Sequence, residues 1–284
     1  MQQEVSREGM VSKEPLQDAG EIRPLSHKEA GVLARAELER FLALVESLTD
    51  EEWNRPTACT LWNVQEIVAH QAGACAGYAR WSEFKRQFGA MGKKREGQLT
   101  VDAMNEVQVG DRAGASPAEL IAELREVGPK AIGTRQRLPW LLRALVIPFG
   151  PPLGTVNLAY LTDLIYSRDM WSHRLDICQA TGREMVLSPK HDGRIVELIV
   201  RDLAKTLPRA LDGASIVLNL VGPAGGTWRI GESSEPEATI RMDALDFCLL
   251  ASGRMAPEEA IALAAIEGDH VLARRTLENA VVPF

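Results

Sequence analysis

No stretch of this chain approaches the ~20 uncharged apolar residues that a membrane-spanning helix needs. A strongly apolar segment, Leu138–Phe149, is too short, carries Arg143 and is interrupted by Pro139 and Pro148. Basic residues are not in excess either: the formal net charge is −7, and no basic arm offsets it, which argues against a general nucleic-acid binder. Cysteine is scarce. Cys59, Cys75, Cys178 and Cys248 show neither CxxC spacing nor a disulfide pattern, so a reducing cytoplasm is the expected compartment. Met1 to Arg23 is polar and lacks the apolar run of a secretory signal. There is no GxSxG nucleophile elbow, and Gly222-Pro223-Ala224-Gly225-Gly226 lacks the Lys-Ser/Thr of a phosphate loop and reads as a turn.

What remains is ordinary globular composition, 45% apolar and 25% charged, over 284 residues, enough for two domains. Residues 1–24 read as a disordered tail. Ser26 then caps a helix to about Leu48, and Asn63 with Glu66 three residues on forms a capping box for a helix reaching about Phe88. Residues 89–115 read as loop with one helical piece. Ser116-Pro117-Ala118-Glu119 opens a further helix. A long helix is expected over 155–180, closed by Gly182, and another over 190–205. After Pro208 the pattern changes. Strand-like runs at 215–221, 227–230 and 238–242 precede helices at 243–251, 257–264 and 269–279. The expected fold class is therefore α with a small α+β part: a four-helix bundle over 25–207 followed by a small α+β domain over 208–284.

Chemistry concentrates on the long helix. Its i+4 row Leu161, Ile165, Asp169, His173, Ile177 is apolar except for Asp169 and His173, which stack one turn apart on one face. A buried aspartate needs a partner. Two readings satisfy that need: a structural ion pair with His173, Arg168 or Arg174, or a metal site that also recruits His70. His70 has Gly73, Ala74 and Gly77 near its face, which would leave open volume beside the imidazole, or would serve close helix packing. His27, His191 and His270 lie near helix starts, and the last two read as solvated. Arg241 and Arg254 are candidates to clamp a substrate carboxylate, or are surface arginines. The apolar segment 138–149 would wall a pocket or, for most of it, pack in a core.

Two motifs carry a family resemblance. Trp53-Asn54-Arg55-Pro56-Thr57 with Leu61-Trp62-Asn63-Val64-Gln65-Glu66-Ile67-Val68-Ala69-His70 resembles the opening motif of the mycothiol-dependent maleylpyruvate isomerase family, itself similar to DinB-like metal-binding bundles. Arg168 to Ile177 resembles that family's acidic-x3-His motif, with Asp169 where its isomerases carry glutamate. The resemblance implies a divalent metal, usually zinc, held by His70, Asp169 and His173. It also implies a sterol-carrier-like C-terminal domain, to which 243–254 and 266–269 are similar. The function so implied is a metal-dependent enzyme that activates a low-molecular-weight thiol, mycothiol, for isomerisation or S-transfer on a small electrophilic substrate, with Arg254 or Arg241 steering an acidic one. The expected partners are that substrate and the thiol, with neither nucleic acid nor membrane, in a monomer or homodimer. The alternatives are a metal-dependent hydrolase with Glu66 as base, or a non-catalytic binder of an apolar ligand or a partner protein.

Overall fold

The protein is described by a computed structural model covering residues 16–93, 95–96, 100–150 and 152–283. In chain order the elements are β1 (Gln17–Asp18), α1 (His27–Val45), α2 (Val64–Ala79), α3 (Trp81–Met91), α4 (Thr100–Gly110), α5 (Pro117–Gln136), α6 (Trp140–Arg143), β2 (Val146–Gly150) and β3 (Gly154–Asn157). Then follow α7 (Tyr166–Thr181), α8 (Arg194–Thr206), α9 (Pro208–Leu211), β4 (Ser215–Val221), β5 (Gly226–Gly231), β6 (Ala238–Asp243), α10 (Ala244–Ala251), α11 (Pro257–Leu263), β7 (Ala265–Gly268) and α12 (His270–Glu278). No described helix is long and apolar enough to cross a membrane.

Local signals set the helix starts. Asn63 accepts the Glu66 backbone N–H at 2.9 Å, and the Asn63 N–H donates to the Glu66 carboxylate at 2.9 Å, closing the capping box that opens α2. Ser116 and Glu119 do the same for α5. Gly182 ends α7 in the left-handed region, φ 71°, as a helix-terminating glycine should.

Two main apolar cores form among the described residues. Phe41 of α1, Ile67 and Val68 of α2, Leu124 of α5, and Met170 and Ile177 of α7 share one, the interior of the expected four-helix bundle. The other joins α8, the sheet, α10 and α12, and also takes Trp171, Leu175 and Cys178 of α7. Helix α7 therefore lies between both cores and is buried on nearly every face, Arg168, His173, Arg174 and Asp176 included. Each of those polar groups must find a partner inside the protein. The sheet is mixed, in order β1-β5-β4-β6-β7, with β4 antiparallel to β5 and parallel to β6.

Several expectations are corrected. Residues 16–24 are not a loose tail: β1 pairs in parallel with β5, and Ala19 and Ile22 are buried in the second core, anchored also by the Asp18–Arg229 ion pair. Residues 1–15 lie outside the described residues. The helix expected from 155 begins later, because β2 and β3 form a hairpin and Tyr160–Ile165 is a π-helical turn leading into α7. The Asn157 side chain accepts the Tyr160 N–H at 2.9 Å and separates strand from helix. The helix carrying His70 breaks at Arg80, whose backbone is extended and whose guanidinium pairs with Glu123 and Glu126, both on α5. The segment after Leu138 is not core: Trp140 and Val146 are each 71% exposed, and Leu141 and Leu145 are exposed too. The side chains of Pro148 and Phe149 lie outside the described ones.

Gly73 leaves no open volume. A Cβ there would stand 2.5 Å from Gln108 Cβ and 2.9 Å from its Cα, so α2 and α4 meet backbone to backbone. Gly73→Ala is expected to destabilise by about 1–3 kcal/mol through overpacking, although alanine favours helix by about 1 kcal/mol. Denaturant unfolding checks this, and a stabilised variant would show that α4 yields freely.

Candidate metal centre

The capping box fixes where α2 begins, and two turns later His70 points into the bundle, 4% exposed. Across from it, α7 presents Asp169 and His173. His70 Nε2 lies 3.2 Å from Asp169 Oδ2, and His173 Nε2 lies 3.5 Å from Asp169 Oδ1. All three donors fall within 4.8 Å of one another. Two ligands of one tetrahedral ion, each bound at about 2.0–2.2 Å, stand about 3.3 Å apart. The two histidine contacts, one to each carboxylate oxygen, lie near that separation; the 3.2 Å contact is also within hydrogen-bond range, whereas 3.5 Å is long for a hydrogen bond.

The surroundings orient the imidazole of His173. Its Nδ1 meets Asp176 Oδ2 at 2.8 Å, so Nδ1 donates to that carboxylate and the ring is turned with Nε2 toward Asp169. Asp176, fully buried, is in turn held by Arg254, whose Nε donates to Oδ1 at 2.6 Å and Nη2 to Oδ2 at 2.9 Å. Burial would raise the Asp176 carboxyl, but the bonds from His173 and Arg254 bring it below the ordinary value. Arg254 reaches this place because α10 ends in a Schellman turn: Gly253 has φ 72°, and the Arg254 N–H returns to the Leu249 carbonyl at 2.8 Å. The α+β part of the chain thus completes the site.

His70 is held differently. Trp62 stacks on it with ring centroids 4.8 Å apart, and its buried Nδ1 has no hydrogen-bond partner among the described residues. Asp169 also accepts a hydrogen bond from Gln71 Nε2 at 2.5 Å. Burial pushes the Asp169 carboxyl up, yet the facing His173 and His70 and the bond from Gln71 hold it well below the usual carboxylate range. Its side chain is 21% exposed, so the cluster opens to solvent on the Asp169 side.

The arginines weighed as ion-pair partners for Asp169 serve other faces. Arg168 donates to Asp202 at 2.7 Å, and Arg174 pairs with Glu37 and Asp192. Among the remaining candidates, Arg254 joins the site through Asp176, whereas Arg241 is exposed on β6 opposite Ala265. Glu66, nominated as a hydrolytic base, holds the Asn63 backbone N–H as the second half of the capping box. His191 is buried rather than solvated. Its Nε2 lies 2.7 Å from Glu37, which with Asp192 makes a second cluster of potential ligands. That cluster already contains a cation, since Arg174 bridges both carboxylates. Sequence reasoning missed Asp176 and Trp62, although both lie inside the motifs quoted above.

Comparison with known proteins agrees with this architecture. The fold resembles the crystal structure of the mycothiol-dependent maleylpyruvate isomerase and that of a histidine-to-alanine mutant of it. The TM-score is 0.54 in each, at 15% and 14% identity, covering 81% of this chain and 90% of the other. Two relatives, each named as an uncharacterised protein of Mycobacterium tuberculosis and drawn from two strains, are 27% identical over 245 residues, or 78% of this chain and 84% of theirs. The family model described as the mycothiol maleylpyruvate isomerase N-terminal domain matches residues 34–178, a span that includes His70, Asp169, His173 and Asp176, and the chain belongs to that family.

Proposed function

We propose that this protein is an enzyme that holds a divalent metal, zinc by its donor set, on His70, Asp169 and His173, and uses it to activate a low-molecular-weight thiol for attack on a small electrophile. The observation that carries the reading is the convergence of two imidazole Nε2 atoms on one carboxylate, with Asp176 and Arg254 stacked behind His173. Such an ion, when bound, lowers the pKa of a coordinated thiol and keeps it as the nucleophilic thiolate. The family supports mycothiol as that thiol and isomerisation as the reaction, with S-transfer as the related outcome.

The chain's own residues have defined tasks in this reading. Asp176 keeps the proton on His173 Nδ1, so that Nε2 stays free to ligate. Arg254 keeps Asp176 ionised in a buried setting and acts as a positioning residue, a role nearer the metal than the substrate clamp expected of it. Trp62 covers one face of the His70 ring. A thiol from outside is consistent with the chain's own cysteines, since burial pushes Cys59, Cys75 and Cys178 up to about 11 and leaves them protonated at neutral pH. The hydrolytic alternative loses support because Glu66 is engaged as a cap.

The test is thiol-dependent turnover of maleylpyruvate by purified protein whose metal content has been measured, with mycothiol, glutathione and cysteine compared. About one zinc per chain and turnover that requires a thiol would support the proposal. Turnover of an ester or amide without any thiol would replace it with metal-assisted hydrolysis.

A further inference from the structure

A cavity of about 1090 Å³ lies apart from the metal cluster, between the β2–β3 hairpin, the π-helical turn before α7, and α8. None of His70, Asp169, His173 or Arg254 lines it. Its floor is apolar. Leu164 and Leu198 are buried there with Leu33 in a small cluster separate from both main cores, and Leu25 and Tyr160 pack against them. Its walls are basic. Arg201, Lys205 and Arg209 follow one another at four-residue intervals along α8 and α9, and Arg143 lines it from α6.

A solvated helix face would be the ordinary reading of such a row, but three observations weigh against it. The chain carries a net charge of −7, yet this cavity is lined by four cations and two carboxylates. Both carboxylates are engaged: Asp163 with His27 and Arg143, Asp202 with Arg168, Tyr160 and Lys205. Among the described residues no carboxylate pairs with Arg201 or Arg209, and Arg201 donates its Nε to the Ile22 carbonyl at 3.0 Å. Like charges four residues apart repel, and here they are gathered on a concave wall rather than spread over a convex one. The volume suits a molecule of drug size or larger. Beside the cavity, the exposed apolar run Trp140, Leu141, Leu145 and Val146 continues into the hairpin that forms its outer wall.

We infer that this cavity is a second ligand site, for an amphipathic organic anion whose carboxylate or phosphate head is held by Arg201, Lys205 and Arg209 and whose apolar body rests on Leu25, Leu164 and Leu198. The head group faces the α8–α9 wall and the tail faces the hairpin. The site is independent of the metal and of the thiol reaction.

Isothermal titration of the full-length protein separates the parts of this inference. The probes are dodecanoate and dodecyl phosphate below their micelle concentrations, acetate and inorganic phosphate as heads without tails, and dodecyltrimethylammonium as a tail with the opposite charge. One of the dodecyl anions is expected to bind about one per chain, at least about tenfold more tightly than the bare heads or the cationic detergent. Whichever of the two binds better identifies the head group. Lys205→Glu and Arg209→Glu, both at exposed positions, are each expected to weaken binding by about tenfold at low salt, with a smaller loss in 1 M salt. Metal content and the circular dichroism spectrum should stay unchanged. Equal binding by wild type and the two glutamate variants, equal binding of the cationic detergent, or no binding of either anion would overturn the assignment.

Discussion

His173→Ala is expected to lose its metal, and thiol-dependent turnover with it, while still unfolding in one cooperative transition. The substitution removes one of three ligands, and two ligands at this spacing hold zinc poorly. It leaves no charge without a partner, because Arg254 still donates twice to Asp176, and Gln71 and His70 still face Asp169. The fold should therefore persist with the cost of a filled core position turned into a cavity. Asp176→Asn is the finer companion. The amide oxygen can still accept from His173 Nδ1, but the buried negative charge that opposes Arg254 is gone, and metal affinity is expected to fall about 10–100-fold. Elemental analysis against a graded chelator series reads both variants. A His173→Ala protein that keeps stoichiometric zinc would remove this cluster as the metal site.

The parts of this protein legible in sequence are those governed by neighbours along the chain. Asn63 with Glu66 and Ser116 with Glu119 announce helix starts because a side chain three residues away satisfies the first free N–H groups. Alternation over 215–221 reads as strand because one face of β4 is buried. Asp169 and His173 are legible as a pair because four residues of helix bring them to one face, and the motif around His70 supplies the third donor. What could not be read depends on pairing between distant residues. Arg254 meets Asp176 across 78 positions, and His191 meets Glu37 across 154, so their types and spacing carry no local mark. Gln17 and Asp18 form a strand only because the edge of β5 is available to them. Tyr160 and its neighbours have helical periodicity, but the hairpin before them exists because Gly154 turns the chain at positive φ. His191 looked solvated for the same reason: its burial is decided by α1, not by its own segment.

Arg174 supports the largest expected change in stability. Its guanidinium, 4% exposed, lies between two fully buried carboxylates: Nε donates to Glu37 at 2.7 Å and Nη2 to Asp192 at 2.5 Å. Burial would lower its pKa, but the attraction of Glu37 and Asp192 raises it, so it stays charged throughout the accessible pH range. Trp171 Nε1 and the N–H and hydroxyl of Ser188 also donate to Asp192, and His191 Nε2 meets Glu37. Arg174→Met keeps the volume of the side chain and removes the cation. Two carboxylates whose oxygens lie within 4.8 Å then face each other in the interior with His191 beside them. Breaking such a buried group by removing one partner costs about 3–5 kcal/mol, which for a chain of this size lowers Tm by about 10 °C. The pH dependence identifies the cause. Burial pushes the Asp192 carboxyl up, but in the wild type Arg174, with the bonds from Ser188 and Trp171, holds it below its ordinary value. Its contribution is therefore complete above the unfolded pKa of about 3.9 and is lost as pH falls through the lower folded value. In Arg174→Met the facing carboxylates favour uptake of a proton, so the variant gains relative to the wild type on acidification. The difference in stability measured by denaturant unfolding should be largest near pH 7 and narrow toward pH 4. A deficit of the same size at both would assign the loss to packing around the methionine rather than to the exposed charge pair.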